Sequence, residues 1–386
     1  MAGTSRMLTL LLSAGNFAIG MGAFVVIGLL NPMGEAFTLT TSEAGWILTV
    51  YAIAYALGSP VAVALTGRWA RRTVLLFGLM LFAVGAVATA LAPSVELLFA
   101  ARIVVAVGAG LFTPVAAGVA IATAAPEVQG KALANVFFGL TLAQVLGVPT
   151  GAWIGYTLGW EVAFYLTAIL SFACWVGLWR GVPRDLPTLV TGRGYLAGVM
   201  GRGRSLLTIL FTASFLGATY VVYTYMAPLL SARMGYDRDG ITLVLALFGL
   251  GAVVGNLLGG MLADRIGPFR TLLGLCVAQA ALMPAFSALP MPPVLLLALT
   301  LLWSISGWSF MAAQQIRVVQ AEPERRSVAL ALNAASIYVG ASVGAALGGW
   351  VLDRFGLDAI GIAGGLFAVA ALAHLVMSTP KVRETA

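Results

Sequence analysis

The sequence predicts an all-α membrane protein: twelve transmembrane helices arranged as two parallel-repeat six-helix bundles. Three observations carry that prediction. Of 386 residues, 61% are hydrophobic and only 9% charged, where a soluble domain has about a quarter charged. Apolar runs of roughly 20 residues, each long enough to cross a ~30 Å hydrocarbon core, recur along the whole chain. Backbone polar groups in lipid must pair within their own segment, so such runs are helices rather than strands of an open sheet. The third observation is internal repetition. The stretch Gly260-Met261-Leu262-Ala263-Asp264-Arg265-Ile266-Gly267, followed by Arg270, has a worn copy 197 residues earlier at Val63-Ala64-Leu65-Thr66-Gly67-Arg68-Trp69-Ala70, followed by Arg71 and Arg72. The same offset pairs Pro126-Glu127 with Pro323-Glu324, Gly147 with Gly344, Gly151 with Gly348, Trp153 with Trp350 and Gly159 with Gly356. An offset held without gaps over more than 90 residues marks a duplicated unit.

Taken in order, the first unit is expected to cross the membrane at about 8–31, 43–65, 73–92, 95–123, 131–156 and 160–180. The second is expected to cross at about 205–230, 240–263, 270–289, 292–318, 327–351 and 357–378. The breakers Asn31-Pro32, Ala92-Pro93, Ala125-Pro126, Leu289-Pro290 and Glu322-Pro323 punctuate the joints. This gives an N-terminal bundle over 1–180, a linker over 181–204 and a C-terminal bundle over 205–386. Pro183, Pro187, six glycines and four arginines make the linker a flexible strap facing lipid head groups, with no ligand site expected. Six spans per unit is an even number, so both copies enter the membrane in the same sense, as a parallel repeat.

Charge gives the orientation. Of 21 Lys and Arg, 17 fall on one side of this arrangement, three (Arg233, Arg238 and Arg354) on the other, and Arg102 alone is read as lying inside a span. Basic loops stay in the cytoplasm, so both termini are expected there. The net charge of +7 is spread over short loops and is no signal for nucleic acid. Cys174 and Cys276 lie in apolar runs without metal-ligand spacing and read as core residues. The first apolar run is too long for a signal-peptide core and reads as an uncleaved span. One histidine and two such cysteines supply neither a nucleophile–base pair nor a metal set, so no enzyme activity and no cofactor is expected.

The loop motif G-x-L-a-D-r-x-G between spans 2 and 3 and between spans 8 and 9 resembles that of the major facilitator superfamily, and the resemblance covers nearly all of the chain. Asn16-Phe17-Ala18-Ile19-Gly20, Gly28-Leu29-Leu30 and Leu146-Gly147-Val148-Pro149-Thr150-Gly151 resemble the twelve-span drug/proton antiporters of the arabinose-efflux and chloramphenicol-resistance kind. The resemblance implies a multi-pass protein of the bacterial inner (cytoplasmic) membrane, working as a monomer by alternating access. The Gly-Val-Pro-x-Gly run favours efflux, including the multidrug-resistance kind, over uptake. Three departures stand against the pattern. Span 1 has Gly22-Ala23-Phe24 where relatives carry an acid. The first loop has Gly67 for its aspartate and Ala70 for its glycine. Span 4 keeps its arginine as Arg102 but has Val105 for a glutamine.

Such a fold has a central cavity lined by spans 1, 4, 7 and 10, with 2, 5, 8 and 11 at its sides. Its candidate substrate contacts in the first half are Asn16, Phe24, Tyr51, Tyr55, Phe112, Thr113, Thr141 and Gln144. In the second half they are Thr219, Tyr220, Tyr223, Asn256, Trp303, Ser306, Trp308 and Tyr338. Aromatic walls with a few hydrogen-bonding groups and no negative charge suit a neutral or weakly anionic amphiphile. Gating is assigned to Asp264, Arg265 and Gly267, with Arg68, Arg71 and Lys131 as basic partners that latch the inner ends. Gly147, Pro149 and Gly151 give a smooth, bent helix interface. Arg102, a charge inside a span, is expected to face the bundle interior and to bond span 1 carbonyls and Gln144. No span holds a central carboxylate, so protons become partners only through Glu35, Glu43 or Arg102. His374 reads as a satisfied peripheral histidine. A proton-coupled exporter is the leading expectation. The rivals are an uncoupled facilitator or importer of a sugar or other metabolite, and a non-transporting membrane receptor.

Overall fold

The computed structural model describes residues 2–124, 129–183 and 201–379, and their side chains apart from those of 2–6, 64, 129–131, 326, 327 and 331. Among the described residues there is no strand, and twelve helices are long and apolar enough to cross a membrane. They are α1 (Met7–Phe24), α2 (Thr41–Val63), α3 (Arg71–Ala90), α4 (Val95–Thr123), α5 (Ala132–Leu158) and α6 (Trp160–Gly181). The second six are α7 (Gly203–Met234), α8 (Arg238–Ile266), α9 (Pro268–Ala288), α10 (Pro293–Ala321), α11 (Val328–Phe355) and α12 (Ala359–Ser378).

Two expectations about the ends need correction. Span 1 was expected to run unbroken to Asn31-Pro32. Instead the helix stops at Phe24, turns at Val25, and a second segment, Val26–Ala36, carries Pro32 within it. The ring of a proline disturbs the turn before it rather than the turn after it. The second correction concerns α10, which continues past the expected end at 318 to Ala321 and so sets Arg317, counted with the cytoplasmic charge, a full turn inside the helix.

The described chain forms two compact units. One comprises Met1–Thr191 with Tyr225–Gly249, the other Gly192–Thr224 with Leu250–Ala386. Within the first, α1 packs on α5 and α6, α4 on α2 and α3, and α3 on α6. The segment Met226–Met234 lies against Val26–Ala36 in the same unit. Within the second, the first part of α7 packs on α11 and α12, α9 on α10 and α12, and α10 on α11.

The duplication is visible in the contacts. A Cβ on Gly20 would strike Ala143 of α5, and one on Gly340 of α11 would strike Ala213 and Gly217 of α7. The pair 20 and 143 is the pair 217 and 340 moved by 197 residues. Small residues let these helix backbones approach closely, which lipid-embedded helices depend on for association. The turns repeat as well. Gly159 before α6 and Gly356 before α12 take φ of +101° and +80°, a region open to glycine at little cost. Serines hold the other pairs: the Ser59 hydroxyl donates to the Gly110 carbonyl at 2.7 Å, and that of Ser309 to the Gly255 carbonyl at 2.9 Å.

Candidate functional site

In the first unit a hydrogen-bonded chain joins four helices. Asn16 of α1 donates through Nδ2 to the Val136 carbonyl of α5 at 3.0 Å, and its Oδ1 accepts from Thr113 of α4 at 2.9 Å. Thr113 also bonds Tyr55 of α2. Asn16, Thr113 and Tyr55 are buried, as are Phe24, Tyr51 and Phe112, while Thr141 is half-buried. Burying amides and hydroxyls is tolerable because they satisfy one another.

Arg102 is fully buried in this unit. Its Nη1 donates to the Gly22 carbonyl at 2.7 Å and its Nη2 to the Ala23 carbonyl at 3.4 Å. The break at Val25 explains why these carbonyls are open to it: the last four carbonyls of a helix lack intrahelical partners. A cation there also meets the negative end of the helix dipole. The guanidinium lies 4.6 Å from the Tyr51 ring centre and 5.7 Å from that of Phe164, and such faces attract a desolvated cation. Arg102 is thus held without a carboxylate. Gln144, expected as a further partner, does not serve as one. It sits in a π-helical turn, Ala143–Gly147, and its Oε1 is buried without a hydrogen bond. The turn precedes Pro149, which has no N–H to continue the ladder. Gly147 and Gly151 lie against Met21 and Val25 of the first span.

In the second unit Tyr220, Tyr223, Trp303 and Phe286 stack edge to face, with centroids 6.0, 6.4 and 5.0 Å apart in succession. The Trp303 indole N–H is already used, donating to Gln279 Oε1 of α9 at 2.8 Å. Gln279 Nε2 reaches the Ser306 hydroxyl at 3.3 Å. Trp303 therefore offers a ring face rather than a donor. The Trp308 N–H is different: its residue is buried and the nitrogen has no hydrogen-bond partner. Thr219 and Tyr338 are buried and Asn256 is half-buried.

A separate polar cluster of this unit was not anticipated. Arg317, counted by sequence with the cytoplasmic charge, is buried and contradicts the expectation that Arg102 is the sole cation within a span. It donates to Gln314 at 3.2 Å, to Ser378 at 3.0 Å and to Thr379 at 3.1 Å, and lies over Phe211. Gln314 and Thr212 both bond Asn333. His374 is clamped nearby: its Nε2 lies 2.9 Å from the Leu207 carbonyl, so that nitrogen donates, and its Nδ1 lies 2.6 Å from the Ser214 hydroxyl. At the end of α10 the Glu322 carboxylate, 1% exposed, accepts from Ser205 at 2.7 Å and pairs with Arg202 at 3.1 Å and Arg325 at 3.6 Å. Burial pushes its pKa up, but the Ser205 hydroxyl and the two guanidiniums outweigh that and hold it below the usual glutamate range.

Among the gating candidates, Asp264, Arg265 and Arg68 are exposed, and no ion pair holds Asp264 or Arg265 among the described residues of their unit. Arg71 is buried and donates to the Gly118 carbonyl at 3.0 Å. The Lys131 side chain lies outside the described residues. Gly267 takes φ +83°, whereas Ala70 in the first loop has φ −57°. The first turn does not need glycine, which accounts for that departure in the repeat. Gln279, Gln314, Asn333 and Arg317 escaped the sequence reading for two reasons. The neutral amides carry no charge to mark them in an apolar run, and Arg317, one residue inside the expected end at 318, counts with the cytoplasmic charge. The available signal was a polar side chain inside an apolar run.

A family model described as Major Facilitator Superfamily matches residues 12–321 and 209–386. The "Inner membrane transport protein YdhP" of Escherichia coli (strain K12) is 30% identical over 377 residues, 97% of each chain. A "Probable sugar efflux transporter" of Pasteurella multocida (strain Pm70) is 29% identical over 375 residues, 97% of this chain and 92% of that protein. The crystal structure of a D-xylose-proton symporter superposes with a TM-score of 0.79 over 98% of both chains at 19% identity, which establishes a shared fold.

Proposed function

Because this chain belongs to the Major Facilitator Superfamily and is a multi-pass membrane transporter rather than an enzyme, we propose that it exports a small neutral or weakly anionic amphiphile by alternating access. The bodies that move in this reading are the bundles 1–180 and 205–386, joined by the linker 181–204, with the drug/proton antiporters as functional kin and protons as the coupling ion. One observation carries the substrate class: each unit buries a polar and aromatic face that holds no carboxylate, and the first places a guanidinium there. A cation would meet no counter-charge on either face, whereas a carbonyl could accept from the free Trp308 N–H in the second unit and a hydroxyl could donate to Gln144 Oε1 in the first. Asp264 supports gating in this reading despite its exposure, as a carboxylate that pairs in another stage of the cycle.

A second reading, an uncoupled facilitator of a sugar or other metabolite, is favoured by one specific feature: the sequence puts no Asp or Glu in the middle of any span. Proton antiport needs a group that titrates between the two faces. A growth-protection screen in a host stripped of its own exporters identifies the substrate. Proton flux evoked by that substrate in proteoliposomes then separates the two readings. Flux supports antiport through Arg102, Glu35 or Glu43, and counterflow without proton movement supports the facilitator.

A further inference from the structure

We propose that the basic end of the first unit holds the phosphate of an anionic phospholipid, at a site formed where α3 begins and α6 ends. A concavity of about 410 Å³ lies there, lined by Arg72, Trp179, Arg180, Val182 and Pro183. Arg72 is fixed rather than free. One of its terminal nitrogens donates to the Trp179 carbonyl, in the last turn of α6, and its Nε is buried without a partner. Arg180, on the next residue, is exposed. The α3 helix begins at Arg71 behind Ala70, which offers no side-chain cap, so its first N–H groups also face this end.

Among the described residues no negative charge lies nearby. The described carboxylates of the unit, Glu35, Glu43, Glu96, Glu161, Asp237 and Asp239, belong to the opposite ends of their helices. Asp185 follows in sequence, outside the described residues. Two guanidiniums and a helix N-terminus, with no carboxylate beside them among the described residues, suit a phosphate.

A neighbouring feature selects a lipid over a free phosphate. Phe172, Trp175 and Trp179 stack along α6 with centroids 5.8 and 6.4 Å apart and planes within 8° and 3°. Spacings of three and four residues put them on one helix face, and Phe172, Trp179 and Ile169 on it are largely exposed. An acyl chain can lie along this stripe while the head group reaches the arginines, with Trp179 at the water boundary as interfacial tryptophans are. Charge bias alone would leave basic side chains loose in solution. Here one is locked to the helix that carries the stripe.

The test is thermal unfolding of the full chain in detergent, followed by tryptophan fluorescence, with added phosphatidylglycerol, phosphatidylcholine or inorganic phosphate at matched concentrations. Phosphatidylglycerol should raise the midpoint by about 2 °C or more and phosphatidylcholine should not. Two arginines favour the anionic lipid by roughly thirty-fold. The exposed change Arg180→Gln should weaken the shift, Arg72→Gln with it should abolish the shift, and Arg204→Gln with Arg270→Gln, at the basic end of the second unit, should leave it intact. Equal shifts from the two lipids, or a preference surviving Arg180→Gln unchanged, overturn the proposal. A shift reproduced by inorganic phosphate alone overturns the lipid assignment.

Discussion

Gly20 against Ala143 in the first unit and Gly217 against Gly340 in the second are one contact moved by 197 residues. The buried arginines of the two units are not. Arg102 has Leu299 as its counterpart, and Arg317 has Ala120. A polar crosslink between the first and fifth helix of each repeat sits at nearly one register and runs in one sense, first helix to fifth, but through different groups. In the first unit Asn16 of α1 donates to Val136 of α5. In the second, Asn333 of α11, the counterpart of Val136, accepts from Thr212 of α7. The lesson is that duplication preserved the backbone approach, which depends on small residues in the right places, and left the buried polar groups free to diverge. Packing tolerates few alternatives at a helix crossing. A hydrogen bond needs only a donor and an acceptor within reach, whichever residues supply them.

The sharpest way to break this comparison is to remove each arginine. Arg102→Leu should cut transport at least tenfold in proteoliposomes, since it uncaps the Gly22 and Ala23 carbonyls at the break in span 1. Arg317→Leu should keep the rate per folded protein within about twofold and lower stability by about 1–3 kcal/mol, from the unpaired groups it leaves. Equal loss of rate in both would erase the distinction between the two clusters. Next in size, Gln279→Leu strands the Trp303 N–H in the second unit and should cost about 1–3 kcal/mol, read as a lower unfolding midpoint. An unchanged midpoint would mean that the indole finds another partner.

Glu322 gives a pH-dependent test. Its folded pKa is depressed, so its pairing stabilises the second unit above the ordinary glutamate value of about 4.5 and is lost as pH falls from there through the lowered value. Glu322→Gln should lower stability at neutral pH and flatten that acid-side loss. An acid limb of unchanged steepness would remove Glu322 from the account. The smallest effects belong to the loops. Gly267→Ala should cost about 1 kcal/mol because of its positive φ. Ala70→Gly should cost only a few tenths, through a looser unfolded chain. Equal costs would show that the two turns differ less than their backbone angles.

The fold was legible to a large degree, and for a physical reason. Lipid forces long uninterrupted apolar helices, so hydropathy places all twelve, and the 197-residue offset falls on real contacts at Gly20, Gly217 and Gly340. The turn glycines were legible for the same reason, since Gly159 and Gly356 both need positive φ. Polar placement was less so. Asn16 and Thr113 were found as separate candidates, but their bond to each other depends on helix rotation, which no apolar run encodes. Arg317 was misplaced because a helix end cannot be read to within a turn. Gln279 is a neutral amide in an apolar run, which carries no signal of the partner that helix rotation brings to it. Pro32 was given the power to end a helix that it sits inside.

Charge selectivity of the carried molecule tests the central claim most directly. Flux into proteoliposomes would be compared for an uncharged substrate from the growth screen and a cationic analogue of the same size. The two carboxylate-free faces predict that the neutral molecule moves well above the protein-free rate and the cation does not. A cation carried as fast as the neutral compound would contradict the account.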